Sequence, residues 1–348
     1  MERVAIRTGR PYEVVIGHGL LSRAGELLPL RGVKKAAVIT DSAVGPLYAE
    51  SVEASLRAAG VEAVRFTFPG GEEHKSLQTV GEILEFLARE GLTRSDLVVA
   101  LGGGIVGDVA GFAASAFLRG IAFVQLPTTL LAAVDSSVGG KTGVNLTAGK
   151  NLAGAFYQPE LVLCDCDTFE TLSPEIFADG RAEAVKYGVI RDAEFFDRLK
   201  TGDFSEIVPI VKRSVEWKAA IVGADEFESG ERKLLNFGHT LGHAIEKESG
   251  YRITHGHAVA IGMALMAKAA DAHGLSAEPC AARVREALVA NGLPVKSPFP
   301  PEALMGALLS DKKRAGDTLT LVLPERIGNC VLHPVKVDGV LDFIRAGF

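Results

Sequence analysis

The sequence predicts an α/β protein: an N-terminal Rossmann-like domain on a parallel sheet, then a mainly helical C-terminal domain. Three observations carry this expectation. Short β-rich runs alternate with helical patterns up to residue 165, a glycine-rich turn joins one such run to the next helix, and beyond Leu172 helical periodicity takes over. At about 150 residues per domain, a chain of 348 residues holds two domains with separate cores. They are placed at 1–165 and 166–348, with a ligand cleft expected between them.

The runs Ala36–Thr40, Ala63–Phe68, Leu97–Leu101, Ala122–Leu126 and Leu161–Leu163 read as strands. Between them, Leu47–Ala59, Ser76–Glu90 and Gly107–Ala116 space their apolar residues as crossover helices do. Val4–Arg7 and Tyr12–Ile16 read as a hairpin at the sheet's margin. In the second half, helical spacing runs through Pro174–Tyr187, Glu206–Val222, Thr240–Ser249, Ala258–His273 and Ala281–Asn291. A β pair, Leu319–Leu323 with Asn329–Leu332, precedes a final helix.

Composition narrows the function classes. A formal net charge of -6 with no run of five like charges argues against nucleic-acid binding. Met1–Arg7 is charged and lacks a signal peptide's apolar core. No stretch reaches the ~18 uninterrupted apolar residues of a membrane span. Four cysteines, Cys164, Cys166, Cys280 and Cys330, are too few for a disulfide scaffold in so large a chain. The expectation is a cytoplasmic protein acting on a small molecule, with no membrane or nucleic-acid partner. An anionic ligand would need a local cluster of Lys and Arg.

Leu97–Leu101 runs into Gly102-Gly-Gly-Ile-Val-Gly107-Asp108. Gly102, Gly104 and Gly107 satisfy G-x-G-x-x-G between a strand and a helix, where backbone can approach a pyrophosphate. The usual acidic companion about 20 residues on is missing, because Ala122–Leu126 ends in Gln125 and Leu126. Asp41, closing the strand Ala36–Thr40, is the better candidate for a ribose hydroxyl. The stretch Val138–Asn145 contains Gly140-Lys141-Thr142 but has Asp135 where a Walker loop needs glycine. With Lys150 and Asn151 close behind, it reads as an anion cradle of another kind.

Four of the eight histidines, His239, His243, His255 and His257, fall between positions 239 and 257. His239 and His243 stand at i, i+4 on one helical face, and Glu183 and Lys186 at i, i+3 on another helix. Imidazole and carboxylate suit Zn2+, and three protein ligands would leave a position open for catalysis. Spacing alone nominates His239 and His243 as the ligand pair.

Together these segments resemble the 3-dehydroquinate synthase family over most of the chain. The matching blocks are Gly71–Ser76, Gly102–Asp108, Arg119-Gly120, Pro127–Leu131, Val134–Asn145, Gly149–Asn151, Ala182–Gly188, Asn236–Glu246, His255–Met263 and Asp311–Lys313. The resemblance implies Glu183, His239 and His255 as ligands of one divalent metal, Zn2+ or Co2+, with His243 on the substrate side or in a proton relay. That departs from the spacing argument, since sharing a helix face does not make two imidazoles converge on one ion.

The resemblance also implies NAD as cofactor. Its contacts would be Gly70, Gly71, Glu72, Glu73, His74 and Lys75; Gly103, Gly104, Ile105, Val106, Gly107 and Asp108; Thr128, Thr129, Lys141 and Lys150; and Thr168, Phe169, Glu170 and Thr171. Asp135, Lys186, Arg232 and Asn236 would face the substrate's hydroxyls and carboxylate. Lys141, Asn151, Lys312 or Lys313, and Arg119 from a neighbouring subunit of a homodimer would hold its phosphate.

The implied activity converts 3-deoxy-D-arabino-heptulosonate 7-phosphate to 3-dehydroquinate and phosphate, with NAD recycled in each turnover. A metal-dependent polyol dehydrogenase of similar build would need no such phosphate set. One position departs from the family pattern: His255-Gly256-His257 stands where His-Gly-Glu is usual. Two expectations follow for His257. Either it lies beside the metal, where loss of a carboxylate weakens binding and glutamate would restore it, or it faces solvent at a helix start.

Overall fold

The computed structural model describes residues 1–309, 314–315 and 317–348, with only the backbone of Leu309, Arg314 and Ala315. Two compact units interleave: Met1–Leu172 with Ile207–Phe227, and Ser173–Glu206 with Glu228–Phe348. The sequence reading divides the chain once, after residue 165.

The first unit is built on β1 (Glu2–Ile6), β2 (Tyr12–Gly17), β3 (Lys35–Asp41), β4 (Glu62–Phe68), β5 (Leu97–Gly102) and β6 (Ala122–Pro127). The strands β7 (Lys141–Leu146), β8 (Gly149–Phe156) and β9 (Leu161–Asp165) follow. Seven of them form one sheet in the order β1-β2-β9-β6-β5-β3-β4. β1 pairs antiparallel with β2, and every other ladder of this sheet is parallel. β5 is buried along its whole length, the continuous apolar pattern of a strand covered on both faces. The covers include α1 (Ala24–Leu27), α2 (Gly45–Ala58), α3 (Leu77–Arg89) and α4 (Gly104–Ala116). Ser76 caps α3, its hydroxyl accepting from Thr79 N.

The hairpin β7–β8 is absent from the sequence reading. Its strands carry Gly143 and Gly154, and glycine weakens a strand signal. Here it permits close approach: a Cβ on Gly154 would lie 2.1 Å from the Thr142 carbonyl oxygen.

The second unit contains α5 (Pro174–Arg191) and α6 (Ala193–Leu199). The next helix, α7 (Ile207–Ala224), returns to the first unit and packs on β1 and β2. The second unit resumes with α8 (His239–Glu248), α9 (His255–Ala272), α10 (Ala281–Ala290) and α11 (Pro301–Leu309). β10 (Arg314–Ala315), β11 (Thr318–Arg326) and β12 (Asn329–Lys336) form a small sheet before α12 (Val340–Arg345). α9 is its central helix, buried almost all round and packed against α5, α8, α10, α12 and β11. No helix among the described residues is long and apolar enough to cross a membrane.

Glycine sets the α8–α9 contact. A Cβ on Gly262 would fall 2.0 Å from the Gly238 carbonyl oxygen, and one on Gly242 3.1 Å from Val259 Cα. α9 also starts at His255 rather than at Ala258, so His255 and His257 both lie in its first turn. Gly262→Ala should therefore cost at least about 1–3 kcal/mol, the usual penalty of overpacking. Chemical denaturation of variant and parent checks this, and an unchanged midpoint would mean the helices part without strain.

Candidate active site

Ser173 caps α5 by accepting from Ile176 N, with Pro174 opening the helix. The helix buries Glu183 (0% exposed) and Lys186 (1%) one turn apart. Burial alone would push the Glu183 carboxyl up. The Lys186 ammonium paired with Oε2 holds it well below the usual carboxylate range, so Glu183 is anionic.

Its other oxygen, Oε1, faces His239 Nε2 at 3.3 Å and His255 Nε2 at 3.2 Å. His239 Nδ1 lies 3.1 Å from the Phe237 carbonyl oxygen, an acceptor only. That contact assigns the proton to Nδ1 and the lone pair to Nε2. Burial keeps this imidazole neutral by lowering its pKa. A lone pair thus faces a buried carboxylate oxygen that accepts no hydrogen bond of normal geometry. A dication between them removes the conflict, and one carboxylate with two imidazoles is a donor set for Zn2+ or Co2+.

His255 turns its second nitrogen, Nδ1, toward Glu246 Oε2 at 3.3 Å. Burial opposes protonation of this ring, but the carboxylates of Glu246 and Glu183 raise its pKa to about 10. Two buried carboxylates thus demand positive charge at this point. A second grouping, His243 with Glu246 and His255, shares the ring. With Nε2 turned to Glu183, Glu246 meets the ring at Nδ1 in the manner of an outer carboxylate. The His243 ring is exposed, its centroid 5.5 Å from that of His239 and 5.9 Å from that of His255. Helical spacing alone could not separate these arrangements.

Arg232 is buried (1% exposed). Asn236 Nδ2 donates to Glu228 Oε1 at 2.9 Å, leaving Oδ1 as the amide's acceptor; Glu228 itself sits at φ 62°. Sequence reasoning did not find Glu228 or Glu246; Glu246, at the end of a matching block three residues after His243, was within reach. His257 fits neither expectation: its Nδ1 lies 2.8 Å from Asp179 Oδ1, facing neither the Glu183 cluster nor solvent. Asp179 raises its pKa.

In the first unit, most residues expected at the nucleotide follow the carboxyl ends of the parallel strands β3, β4, β5, β6 and β9, whereas Lys141 and Lys150 lie on the β7–β8 hairpin. β3 and β5 are neighbours whose next strands in sequence, β4 and β6, lie on opposite sides, which is the topological switch where α/β sheets bind ligands. There Thr128 N donates to the Gly102 carbonyl at 3.0 Å, and a Cβ on Gly103 would lie 3.2 Å from Thr129 Cγ2. A Cβ on Gly107 would meet Gln125 Oε1 at 2.4 Å, so this glycine serves helix–sheet packing. Val106 is buried and Ile105 packs on the core, so these two present only backbone N–H groups.

Asp41 Oδ1 accepts from Ala43 N and Val44 N, and Gly70 lies beside its carboxylate. Thr168 and Thr171 are tied to the Tyr48 hydroxyl at 3.2 and 2.6 Å. Phe169 is buried and Glu170 exposed in the same turn. Glu73 and His74 are paired loosely at 4.0 Å in the turn that ends on Lys75.

The buried Lys75 ammonium joins Asp108 Oδ2 at 2.6 Å and Asn151 Oδ1 at 2.7 Å. Lys150 lies 3.3 Å from Glu72 Oε1, and Lys141 is exposed at the head of β7. Asp135 meets a residue no motif pointed to, the buried Lys218 of α7, at 3.0 Å. Arg119 projects from a turn in which Leu118 (φ 51°), Arg119 (φ 67°) and Gly120 (φ 126°) are all left-handed. Lys312 and Lys313 lie outside the described residues.

Glu183→Gln, His239→Ala and His255→Ala should each leave the purified protein with substoichiometric metal, whereas His243→Ala should keep a full equivalent. Elemental analysis of the four variants checks this; metal kept by the His255 variant and lost by the His243 variant would move the centre to the other grouping.

Comparison with known proteins bears on the same residues. The 3-dehydroquinate synthase N-terminal family model matches residues 65–179 and the C-terminal model residues 180–314. A 3-dehydroquinate synthase of Streptococcus suis (strain 05ZYH33) is 44% identical over 344 residues, covering 96% of this chain and 97% of the relative. Among solved structures, 2-deoxy-scyllo-inosose synthase complexed with carbaglucose-6-phosphate, NAD+ and Co2+ superposes with a TM-score of 0.90 at 29% identity, covering 100% of both chains. The 2-epi-5-epi-valiolone synthase of Streptomyces hygroscopicus subsp. jinggangensis 5008, with NAD+ and Zn2+ bound, gives 0.89 at 30% identity, covering 99% of this chain and 98% of that one. The chain belongs to the 3-dehydroquinate synthase family.

Proposed function

We propose that the chain converts 3-deoxy-D-arabino-heptulosonate 7-phosphate to 3-dehydroquinate and phosphate in the cytoplasm, as a homodimer using NAD and one Zn2+ or Co2+. The observation that carries this reading is the convergence of Glu183, His239 and His255 in a member of this family. The identity of 44% to a 3-dehydroquinate synthase, against 29% and 30% to the other cyclases, favours the heptulosonate substrate.

When bound, NAD would take up and later return a hydride while the dication polarises the oxidised hydroxyl, so no net redox change accrues. Glu183, His239 and His255 would hold the dication. Gly103, Gly104, Gly107, Thr128 and Thr129 would approach the dinucleotide through backbone and hydroxyls, with Asp41 on a ribose. Lys186 and Arg232, both buried cations, would pair with the substrate's carboxylate and hydroxyls. Glu228 accepts from Asn236 Nδ2, so the amide's carbonyl oxygen would accept from a substrate hydroxyl. Lys218 pairs with Asp135 Oδ1, which would orient that carboxylate toward the substrate.

Lys141, Lys150 and Asn151, with Lys312 or Lys313, would orient the phosphate ester. After oxidation the C–H beside the new ketone is acidic. Its proton can pass to the leaving phosphate as the C–O bond breaks, so these residues need only position that group. His243 would relay a proton. Ring opening and intramolecular aldol closure then depend on held geometry more than on strong acids or bases.

Phosphate should appear in proportion to product while no NADH accumulates. Parallel phosphate and NADH assays decide: stoichiometric NADH without phosphate would make the protein a dehydrogenase. Arg119 should serve a second copy's phosphate site, projected by its strained turn. Mixing inactive Arg119→Ala and Lys150→Ala proteins should then restore activity, up to about a quarter of parental if subunits scramble freely, since one mixed-dimer site is intact. No recovery after demonstrated exchange would place Arg119 in its own chain's site.

A further inference from the structure

The first turn of α9, which carries His255, is fastened by a group from another helix. Its N-cap, Thr254, gives the helix no side-chain cap bond. Instead Oδ1 of Asp179, on α5, accepts from His257 N at 3.0 Å, one of the N–H groups that a helix start leaves without a partner. The same oxygen accepts from Thr254 Oγ1 at 2.7 Å and His257 Nδ1 at 2.8 Å. Between these donors sits Gly256, where a Cβ would fall 2.3 Å from both Asp179 Cα and its carbonyl oxygen. The two backbones touch there, and only glycine fits.

Asp179 and Glu183 stand at i, i+4 on α5, one above the other on the same face. One face of α5 therefore grips the first turn of α9 at two points. Glu183 meets His255 Nε2 at 3.2 Å, and Asp179 holds His257 a turn away. Neither Asp179 nor His257 is among the candidate ligand groups.

We propose that Asp179 and His257 are positioning residues, a brace that sets the direction of the His255 ring and thereby the affinity of the metal centre. The inference rests on the reading of Glu183, His239 and His255 as that centre. It reverses the sequence-based expectation for His257. A glutamate there would face the Asp179 carboxylate, push the two helices apart and loosen His255, so it weakens metal binding.

The test uses the full chain reconstituted with Zn2+ or Co2+. Zn2+ affinity is read by chelator competition and ligand geometry by the visible absorption of the Co2+ form. Asp179→Ala and His257→Glu should each weaken Zn2+ by about 10-fold, the low end for residues that orient a ligand, and should shift the Co2+ bands. His257→Asn keeps a donor for Asp179 and should stay near parental in both readouts. The Asp179→Ala/His257→Ala double variant should be no weaker than Asp179→Ala alone, because the pair acts as one unit.

Parental affinity and spectrum in Asp179→Ala and His257→Glu, with only the thermal midpoint lowered, would overturn the brace. Should Asp179→Ala fail to fold, the His257→Glu and His257→Asn pair carries the test unaided. Glu183→Gln separates the two claims. If it loses metal while the brace variants keep it, only the brace fails; if it too binds as the parent does, the metal centre fails and the brace with it.

Discussion

A carboxylate with no exposure to water organises the second unit. Desolvating an ion costs several kcal/mol even after relaxation, and Glu183 is fully buried on α5. Its anionic state depends on the Lys186 ammonium at one oxygen, while two imidazole nitrogens from α8 and α9 converge on the other. The backbone is arranged to allow this. Gly238, Gly242 and Gly262 let α8 and α9 approach without intervening Cβ atoms, and Gly256 does the same for α9 and α5. The outer contacts then fix each ring: the Phe237 carbonyl sets the tautomer of His239, and Glu246 turns His255. Replacing any one helix contact would leave a buried charge incompletely answered.

The first unit meets anionic chemistry differently. The chain as a whole is mildly acidic, so attraction must be local. Backbone N–H groups at the start of α4 would supply part of it, because four amides at a helix start have no internal partner. The rest would come from cations held against carboxylates. Lys75 lies between Asp108 and Asn151, and Lys150 beside Glu72. Burial pushes the Asp108 carboxyl up against the pull of Lys75. Cations paired in this way are already ordered, which would lower the entropy lost on binding an anion.

Much of this was legible in the residues. Strands buried on both faces read as unbroken apolar runs, and β3, β5, β6 and β9 were found for that reason. The strand–glycine–helix junction at Gly102 was legible because turn and close approach both require glycine. The cluster of histidines between positions 239 and 257 marked the stretch from which His239 and His255 converge on Glu183. Less was legible where the signal is weak or distant. β7 and β8 carry glycine where strands usually carry β-branched residues. Lys218 has an ordinary helical surrounding, and only the packed α7 brings it to Asp135, 83 residues away in sequence.

By itself the sequence determined which faces are buried, where the backbone must turn, and which side chains offer nitrogen or oxygen to a cation. Periodicity and residue type carry that information within a dozen residues. The tertiary structure alone decided which nitrogen of each imidazole faces Glu183, and that His257 answers Asp179, 78 residues earlier. The physical reason is that a ring's direction and tautomer follow from the acceptor on its far side. For His255 and His257 that acceptor comes from a different helix, placed by packing that no local pattern records.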